Sequence, residues 1–220
     1  MRPVLLTCGA TRNPLDAMRS ITANSTGATG VTLARGLAAA GLPTTVLGSP
    51  EALLRLGPTA PPLQAGPFTS TRDLEARMRA WVHAHPAGLV VHAAAVGDYE
   101  LDGDPAGKIP SGQPTLTLTL RPTPNILNQL AHWSPALTIV SFKAAPPGTP
   151  PDALHAIADA QRRRTRSALV FANALGALDT SATLVDATGP IHHPARADAL
   201  QALLQRLLAL AADADAVADA

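Results

Sequence analysis

Apolar positions along the chain follow two rhythms that take turns. Short unbroken runs at residues 3–7, 44–47, 89–92, 137–142, 168–171 and 182–185 read as buried strands. Between them lie stretches of helical spacing at residues 26–40, 73–83, 152–166 and 195–212. In the first of these Val31, Leu33, Leu37 and Ala38 share a face and Gly41 is the stop; in the second Leu74, Met78 and Trp81 form a stripe that Pro86 ends. Alternation of this kind predicts an α/β fold: a doubly wound, mostly parallel, Rossmann-like sheet with helices on both faces. Two segments depart from it. Residues 57–68, rich in Pro and Gly, read as a connecting loop. Residues 98–122 hold a Gly/Asp/Pro loop and then Thr115-Leu116-Thr117-Leu118-Thr119-Leu120, whose strict alternation predicts a strand of a small antiparallel flap. One domain over 1–212, with a frayed Ala/Asp tail at 213–220, follows. Residues 144–151 read as a loop beside the strand ends.

Composition narrows the classes. Hydrophobic residues make up 46% of the 220, charged residues 15% and aromatics 3%, so the core is aliphatic. A net charge of +1 argues against a nucleic-acid partner. No run approaches the roughly 20 apolar residues that span a bilayer, and the apolar start is too short for a signal peptide, so no membrane role and a cytoplasmic location are expected. Cys8 is the one cysteine, which leaves no cysteine-based metal site and reads as a small buried thiol. His83, His85, His192 and His193 lack a third ligand at useful spacing, so no metal site is assigned. Only two lysines occur, Lys108 and Lys143.

Ligands of open parallel sheets bind beyond the carboxyl ends of the strands, where three loops carry chemistry. Gly9 and Ala10 follow the first strand, and a long excursion leads to Ser25, Thr26 and Gly27 at a helix start. Free N–H groups there suit a phosphate or carboxylate; a plain Ser/Thr cap with glycine for packing is the competing reading. The compact Gly-x-Gly-x-x-Gly fingerprint and an acidic ribose ligand after the second strand are both missing, which argues against a nicotinamide-dependent oxidoreductase. After the strand ending at His92 come Ala93 and Ala94, small enough for a flat ligand, then Asp98 as an acceptor and Lys108 on a glycine-flanked loop, a phosphate ligand or a solvated surface lysine. Phe142 ends another strand and either stacks on a base or packs in the core; Pro124, Asn125, Ile126 and Leu127 open a helix. Arg162 and Arg166, spaced i, i+4 near a helix end, share a face.

These strings, in this order, resemble the phosphopantothenate–cysteine ligase family over about residues 4–207. VLLTCGATRNPLDAMRSI resembles the family's opening strand and Gly-Gly-Thr-Arg segment. Ser25-Thr26-Gly27 with Gly30 resembles its Ser-Ser-Gly-x-x-Gly, Ala93-Ala94-Ala95-Val96-Gly97-Asp98-Tyr99 its Ala-Ala-Ala-Val-Ala-Asp-Tyr, and Lys108-Ile109 follows at the usual distance. Thr123-Pro124-Asn125-Ile126-Leu127 resembles Asn-Pro-Asp-Ile-Leu, Val140-Ser141-Phe142 resembles Val-Gly-Phe, and Ala172-Asn173 the start of Ala-Asn-Asp. The resemblance implies a stand-alone form of the C-terminal half of a bacterial decarboxylase/ligase fusion, without flavin.

Its activity would join 4'-phosphopantothenate and L-cysteine in coenzyme A biosynthesis, through an acyl-nucleotide made from CTP or ATP with Mg²⁺, in a homodimer whose flap crosses the interface. Carried over by position, Gly9, Ala10, Ala93, Ala94, Asp98, Lys108, Pro124, Asn125, Ile126, Leu127 and Phe142 would bind the nucleotide. Ser25, Thr26, Gly27, Asn173, Arg162 and Arg166 would bind the phosphate-bearing substrate, and Lys108 and Asn24 would be catalytic. The chain departs from the pattern at Ala23, where the family has an asparagine that Asn24 replaces by a local shift, and at Ala28, Ala145, Gln161, Thr165 and Ala174. The alternative is a catalytically degenerate relative that binds a nucleotide or acyl-phosphate as a regulatory or interaction subunit.

Overall fold

The chain opens with β1 (Val4–Cys8), every residue of which is buried. A computed structural model describes residues 1–103, 107–177 and 180–213. The expected tail therefore lies outside the described residues from 214 onward, as do residues 104–106 of the flap. A hairpin of β2 (Arg12–Pro14) and β3 (Ser20–Thr22) leads to α1 (Ala28–Ala39). The Gly41 N–H donates to the Ala38 carbonyl and the Leu42 N–H to the Leu37 carbonyl, with Gly41 at φ 80°, so the expected glycine stop ends α1 in a Schellman motif. Then follow β4 (Thr44–Gly48), α2 (Pro50–Leu56), β5 (Leu63–Pro67), α3 (Thr71–Ala84), β6 (Leu89–His92), β7 (Tyr99–Leu101), β8 (Leu120–Pro122) and α4 (Ile126–Trp133). The chain continues through β9 (Thr138–Ala145), α5 (Pro151–Thr165), β10 (Leu169–Ala174), β11 (Ala182–Asp186), β12 (Gly189–His193) and α6 (Arg196–Ala212).

Eight strands form one sheet in the order β12-β11-β10-β9-β6-β1-β4-β5, parallel from β5 to β10, with β11 and β12 antiparallel at one edge. Its parallel part has the 3-2-1-4-5-6 order of doubly wound dinucleotide folds, which bears out the expected class and puts the switch in winding direction between β1 and β6. Strand alternation sorts the core. Val4 and Leu6 of β1, Leu89 and Val91 of β6 and Val140 of β9 pack with α1 and α6. Leu5, Val90 and Ile139 pack with α3 and α4 on the other face, where α5 adds Leu154 and Ala158 against Val170 and Ala172. No helix among the described residues is long and apolar enough to cross a membrane.

Two expectations are corrected. Residues 57–68 are not all loop: β5 pairs with β4 from Leu63 to Pro67. It is an edge strand, where the missing N–H of Pro67 costs no ladder bond, so its Pro and Gly content hid it. Conversely, of the alternating run 115–120 only Leu120 enters a strand, β8, which pairs with β7. A strand needs a partner backbone, and the apolar side of this run is only partly covered among the described residues: Leu116 is 50% exposed. A smaller adjustment extends β9 to Ala145, two residues into the expected loop.

His92 ends β6 as a buried imidazole hydrogen-bonded through Nδ1 to Thr7 Oγ1 at 2.8 Å, and burial pushes its pKa down to about 4. The unfolded chain takes up this proton near pH 6.5, so between there and about 4 the unfolded state binds more protons and stability falls with pH. Urea unfolding of wild type and His92→Asn at pH 7 and 4.5 should show an extra loss of about 2–3 kcal/mol in wild type alone. Equal losses in both would mean that the imidazole is already protonated in the native state.

Candidate functional site

Two clefts open at the carboxyl ends of the central strands. The first, about 720 Å³, lies above the start of α1, and its floor is built on glycines. Gly9 has φ 89°, and a Cβ there would sit 2.2 Å from Ser49 Oγ. Gly27 has φ 72°, and its Cβ would sit 2.5 Å from that of Ala52; a Cβ on Gly30 would sit 2.3 Å from that of Cys8. These absences let α1 dock directly on the end of β1 and the start of α2. The competing Ser/Thr cap is not formed: Gly27 is the N-cap, and no side chain caps the helix. Ser25 Oγ instead accepts from the Gly27 N–H at 3.4 Å. The first-turn N–H groups of Ala28, Thr29 and Gly30 therefore open into the cleft without an intrahelical acceptor, which is the geometry that receives an anion.

Asn173 at the end of β10 lines the same cleft. It is 7% exposed, and its Nδ2 has no acceptor among the described residues, so a bound oxygen would satisfy a donor that is otherwise stranded. Asn24, Ser25, Thr26 and Gly27 also line it, and so do Ala10 and Ala93, with Gly9 beneath them; these last three are expected with the nucleotide residues, yet they lie apart from Asp98 and Pro124–Leu127, because α1 docks on the end of β1. Arg196, at the start of α6, escaped sequence reasoning. Its Nη2 donates to Thr29 Oγ1 at 2.7 Å and its guanidinium lies 5.4 Å from the Phe171 ring centroid, so it brings positive charge to the α1 terminus.

The second cleft, about 520 Å³, lies on the other side of the β6 and β9 ends. It gathers Ala94, Asp98, Pro124, Asn125, Ile126 and Leu127. Gln161, one of the departures from the resembled pattern, joins them, and so do Lys143, Arg164 and the neutral His92, which sequence reasoning does not place there. Phe142 and Ala144 line both clefts, so ligands in the two would meet at the end of β9. Asp98 is the one carboxylate in this lining, and no three metal-ligating side chains converge among the described residues. That donor set fits Mg²⁺ carried mainly by a ligand's phosphates, with Asp98 as the protein oxygen within reach.

A buried polar network fixes the loops around both clefts. Thr11 Oγ1 accepts from the Gly97 N–H at 2.8 Å, and the Gly97 carbonyl accepts from Thr123 Oγ1 at 2.7 Å and Thr71 Oγ1 at 3.2 Å. Asn13 Oδ1 accepts from the Thr71 N–H at 2.9 Å while its Nδ2 donates to the Tyr99 carbonyl at 2.8 Å. A Cβ on Gly97 would fall 3.0 Å from that Nδ2, so the tight fit favours glycine there.

Three expected residues lie elsewhere. Lys108 borders a separate hollow of about 270 Å³ with Leu15, Asp16 and Leu116. Arg162 pairs with Asp159 at 2.9 Å, and Arg166 lies beyond the last turn of α5 with φ 54°, so the two do not share a helix face toward a ligand. Cys8 is sealed in the core, where burial pushes its thiol up to about 12, which removes it as a nucleophile.

A family model described as the DNA/pantothenate metabolism flavoprotein C-terminal domain matches residues 1–203. The Coenzyme A biosynthesis bifunctional protein CoaBC of Thermococcus kodakarensis is 35% identical over 174 residues, covering 79% of this chain and 41% of that protein. The chain thus spans about two fifths of that relative's length. The DNA/pantothenate metabolism flavoprotein from Streptococcus pneumoniae superposes with a TM-score of 0.84 at 24% identity, over 95% of this chain and 99% of that one. A Cab2 variant in complex with phosphopantothenate-cysteine gives 0.75 at 20% identity, over 94% and 88% of the two chains. The C-terminal domain of a CoaBC protein gives 0.73 at 20% identity, over 96% of each. These three share the fold.

Proposed function

The chain belongs to the DNA/pantothenate metabolism flavoprotein C-terminal domain family, and from that premise we propose that it is a cytoplasmic ligase joining 4'-phosphopantothenate to L-cysteine at the expense of CTP or ATP. The observation that carries the reading is the pair of clefts with a shared wall at Phe142 and Ala144. In this reading the phosphopantothenate sits in the first cleft. The open start of α1 and Asn173 Nδ2 take its anionic oxygens, and Arg196 adds charge beside them. The nucleotide sits in the second cleft, against Ala94, Asp98 and the Pro124–Leu127 stretch, with Phe142 under its α-phosphate end.

The substrate carboxylate attacks the α-phosphorus and pyrophosphate leaves, giving an acyl-nucleotide. The cysteine amine then attacks the acyl carbon and expels the nucleoside monophosphate. Mg²⁺, when bound, screens the triphosphate charge. The chain's own contribution is alignment and fixed donors in rigid loops, which cost no reorganisation during reaction. The flap supports a homodimer: Tyr99 is 53% and Leu116 50% exposed, an apolar edge that a second copy would cover.

A second reading, a relative that binds without turnover, is favoured by one observation: Ala23 and Ala28 line the first cleft with methyl groups where the resembled pattern has polar side chains. Pyrophosphate release separates the two. CTP or ATP with phosphopantothenate and Mg²⁺ should release pyrophosphate, and cysteine should raise it and yield the amide. Protein that binds the nucleotide yet releases none supports the second reading and overturns the first.

A further inference from the structure

Lys108 stands apart in the sequence, but Lys143, the second of the two lysines, is the one that borders either of the strand-end clefts. Side chains alternate along β9. Val140 and Phe142 pack toward α1 and α6, so Ile139, Ser141 and Lys143 point to the face that carries α4 and α5. The backbone beside Lys143 is clamped. Gln161 Nε2 donates to Ser141 Oγ at 3.0 Å and to the Phe142 carbonyl at 3.1 Å, and Ser141 Oγ meets Ser167 Oγ at 2.9 Å. Lys143 thus leaves a fixed point, half-buried, on the wall of the second cleft.

Across that wall stands Arg164, in the last turn of α5, held by the neutral Asn128 Oδ1. Its neighbours Arg162 and Arg163 are both committed to Asp159. Neither Lys143 nor Arg164 makes an ion pair among the described residues. The cleft lining therefore carries two cations against the single carboxylate of Asp98. At the start of α4 one first-turn donor is already taken, because Asn125 Oδ1 accepts from the Asn128 N–H at 3.0 Å.

We propose that Lys143, with Arg164 opposite it, holds the polyphosphate of the nucleotide in the second cleft, which makes Lys143 a binding and specificity residue for triphosphates. The proposal rests on the reading that this cleft takes the nucleotide. Two cations in one lining, with a single carboxylate against them, match the charge of a chain of phosphates.

The test is a binding titration of wild type, Lys143→Gln and Arg164→Gln with CTP, CMP, ATP and AMP at low salt and fixed Mg²⁺. Wild type should favour a triphosphate over its monophosphate. Lys143→Gln should lose roughly tenfold in triphosphate affinity but less than about twofold for the monophosphate, with Arg164→Gln moving the same way by less. The difference should shrink as salt rises. Lys143→Arg, which restores the charge, should recover most of it. An unchanged triphosphate affinity in folded Lys143→Gln, or an equal loss for both phosphate lengths, overturns the proposal while leaving the cleft reading in place. Wild type that binds none of the four nucleotides overturns the cleft reading and this proposal with it.

Discussion

Gly27→Ala should be among the most destabilising single-methyl changes in the chain. Two separate costs meet there. With φ 72° the backbone is left-handed, which costs a residue carrying Cβ about 1–2 kcal/mol. The new Cβ would also lie 2.5 Å from Ala52 Cβ and 3.0 Å from the Gly9 amide nitrogen. Both neighbours are stiff, one a methyl fixed to the α2 backbone and the other the backbone of the β1 loop. Neither can rotate away, so α1 must lift, at a further cost of about 1–3 kcal/mol for overpacking. Together these take a large share of the roughly 5–15 kcal/mol that a domain of this kind holds. Gly41→Ala is the control. It has φ 80° but nothing within 4 Å of the added Cβ, so it should show the backbone cost alone. Urea midpoints should separate the two variants clearly. If they coincide, the close approach of α1 to α2 yields easily and the glycine floor of the first cleft is not a rigid element.

That floor also shows what could be read in the sequence. The central strands were legible because β1, β6 and β10 are buried on both faces, so nearly every residue in each is apolar, and a parallel sheet announces itself by such runs. Where only one face is covered the signal weakened: β5 and β12 sit at the sheet edges and carry Pro, Gly and His. The short helix α2 carries a readable signature, Ser49 as cap with Pro50 at its first position and Glu51 in its first turn. The strand-end loops of the candidate site are legible because fold class alone says where ligands of such sheets bind.

Individual charges were harder, since each depends on where an element stops. Arg166 reads as helical until the left-handed turn at that residue ends α5, and this leaves Arg164, not Arg162 or Arg166, on the cleft wall. Lys143 was within reach of sequence reasoning, because Phe142 packing toward one face forces its neighbour toward the other. Arg196 was not, because its place beside Thr29 is set by the packing of α6 against α1, 167 residues away along the chain.

Lys108→Ala should reduce pyrophosphate release by roughly a hundredfold or more while leaving stability unchanged, if this lysine neutralises charge as the nucleotide reacts. The side chain sits on a loop that is itself tethered. The Gly107 carbonyl accepts from the Ala17 N–H at 2.9 Å, the Ile109 N–H donates to Asp16 Oδ2 at 3.0 Å, and the Ile109 carbonyl accepts from Arg19 Nη2 at 2.7 Å. Asp16 is buried, and the Arg19 guanidinium with backbone N–H groups holds its carboxyl well below the usual carboxylate range, so the latch stays charged at any working pH. An exposed lysine on a tethered backbone, bordering neither cleft of its own chain, fits a homodimer in which the flap serves the partner's nucleotide. Mixing decides this. Lys108→Ala and Asn173→Ala should each be nearly inactive alone, but their mixed dimers contain one site with both residues intact, so an equilibrated mixture should recover roughly a quarter of wild-type activity. Full turnover by Lys108→Ala removes the residue from the mechanism. Loss of turnover with no recovery on mixing keeps Lys108 in the mechanism but confines it to its own chain, which requires the Asp16 latch to open during each cycle; Asp16→Asn should then change the rate of turnover, whereas in the crossed dimer its chief effect is to misplace the loop that carries Lys108.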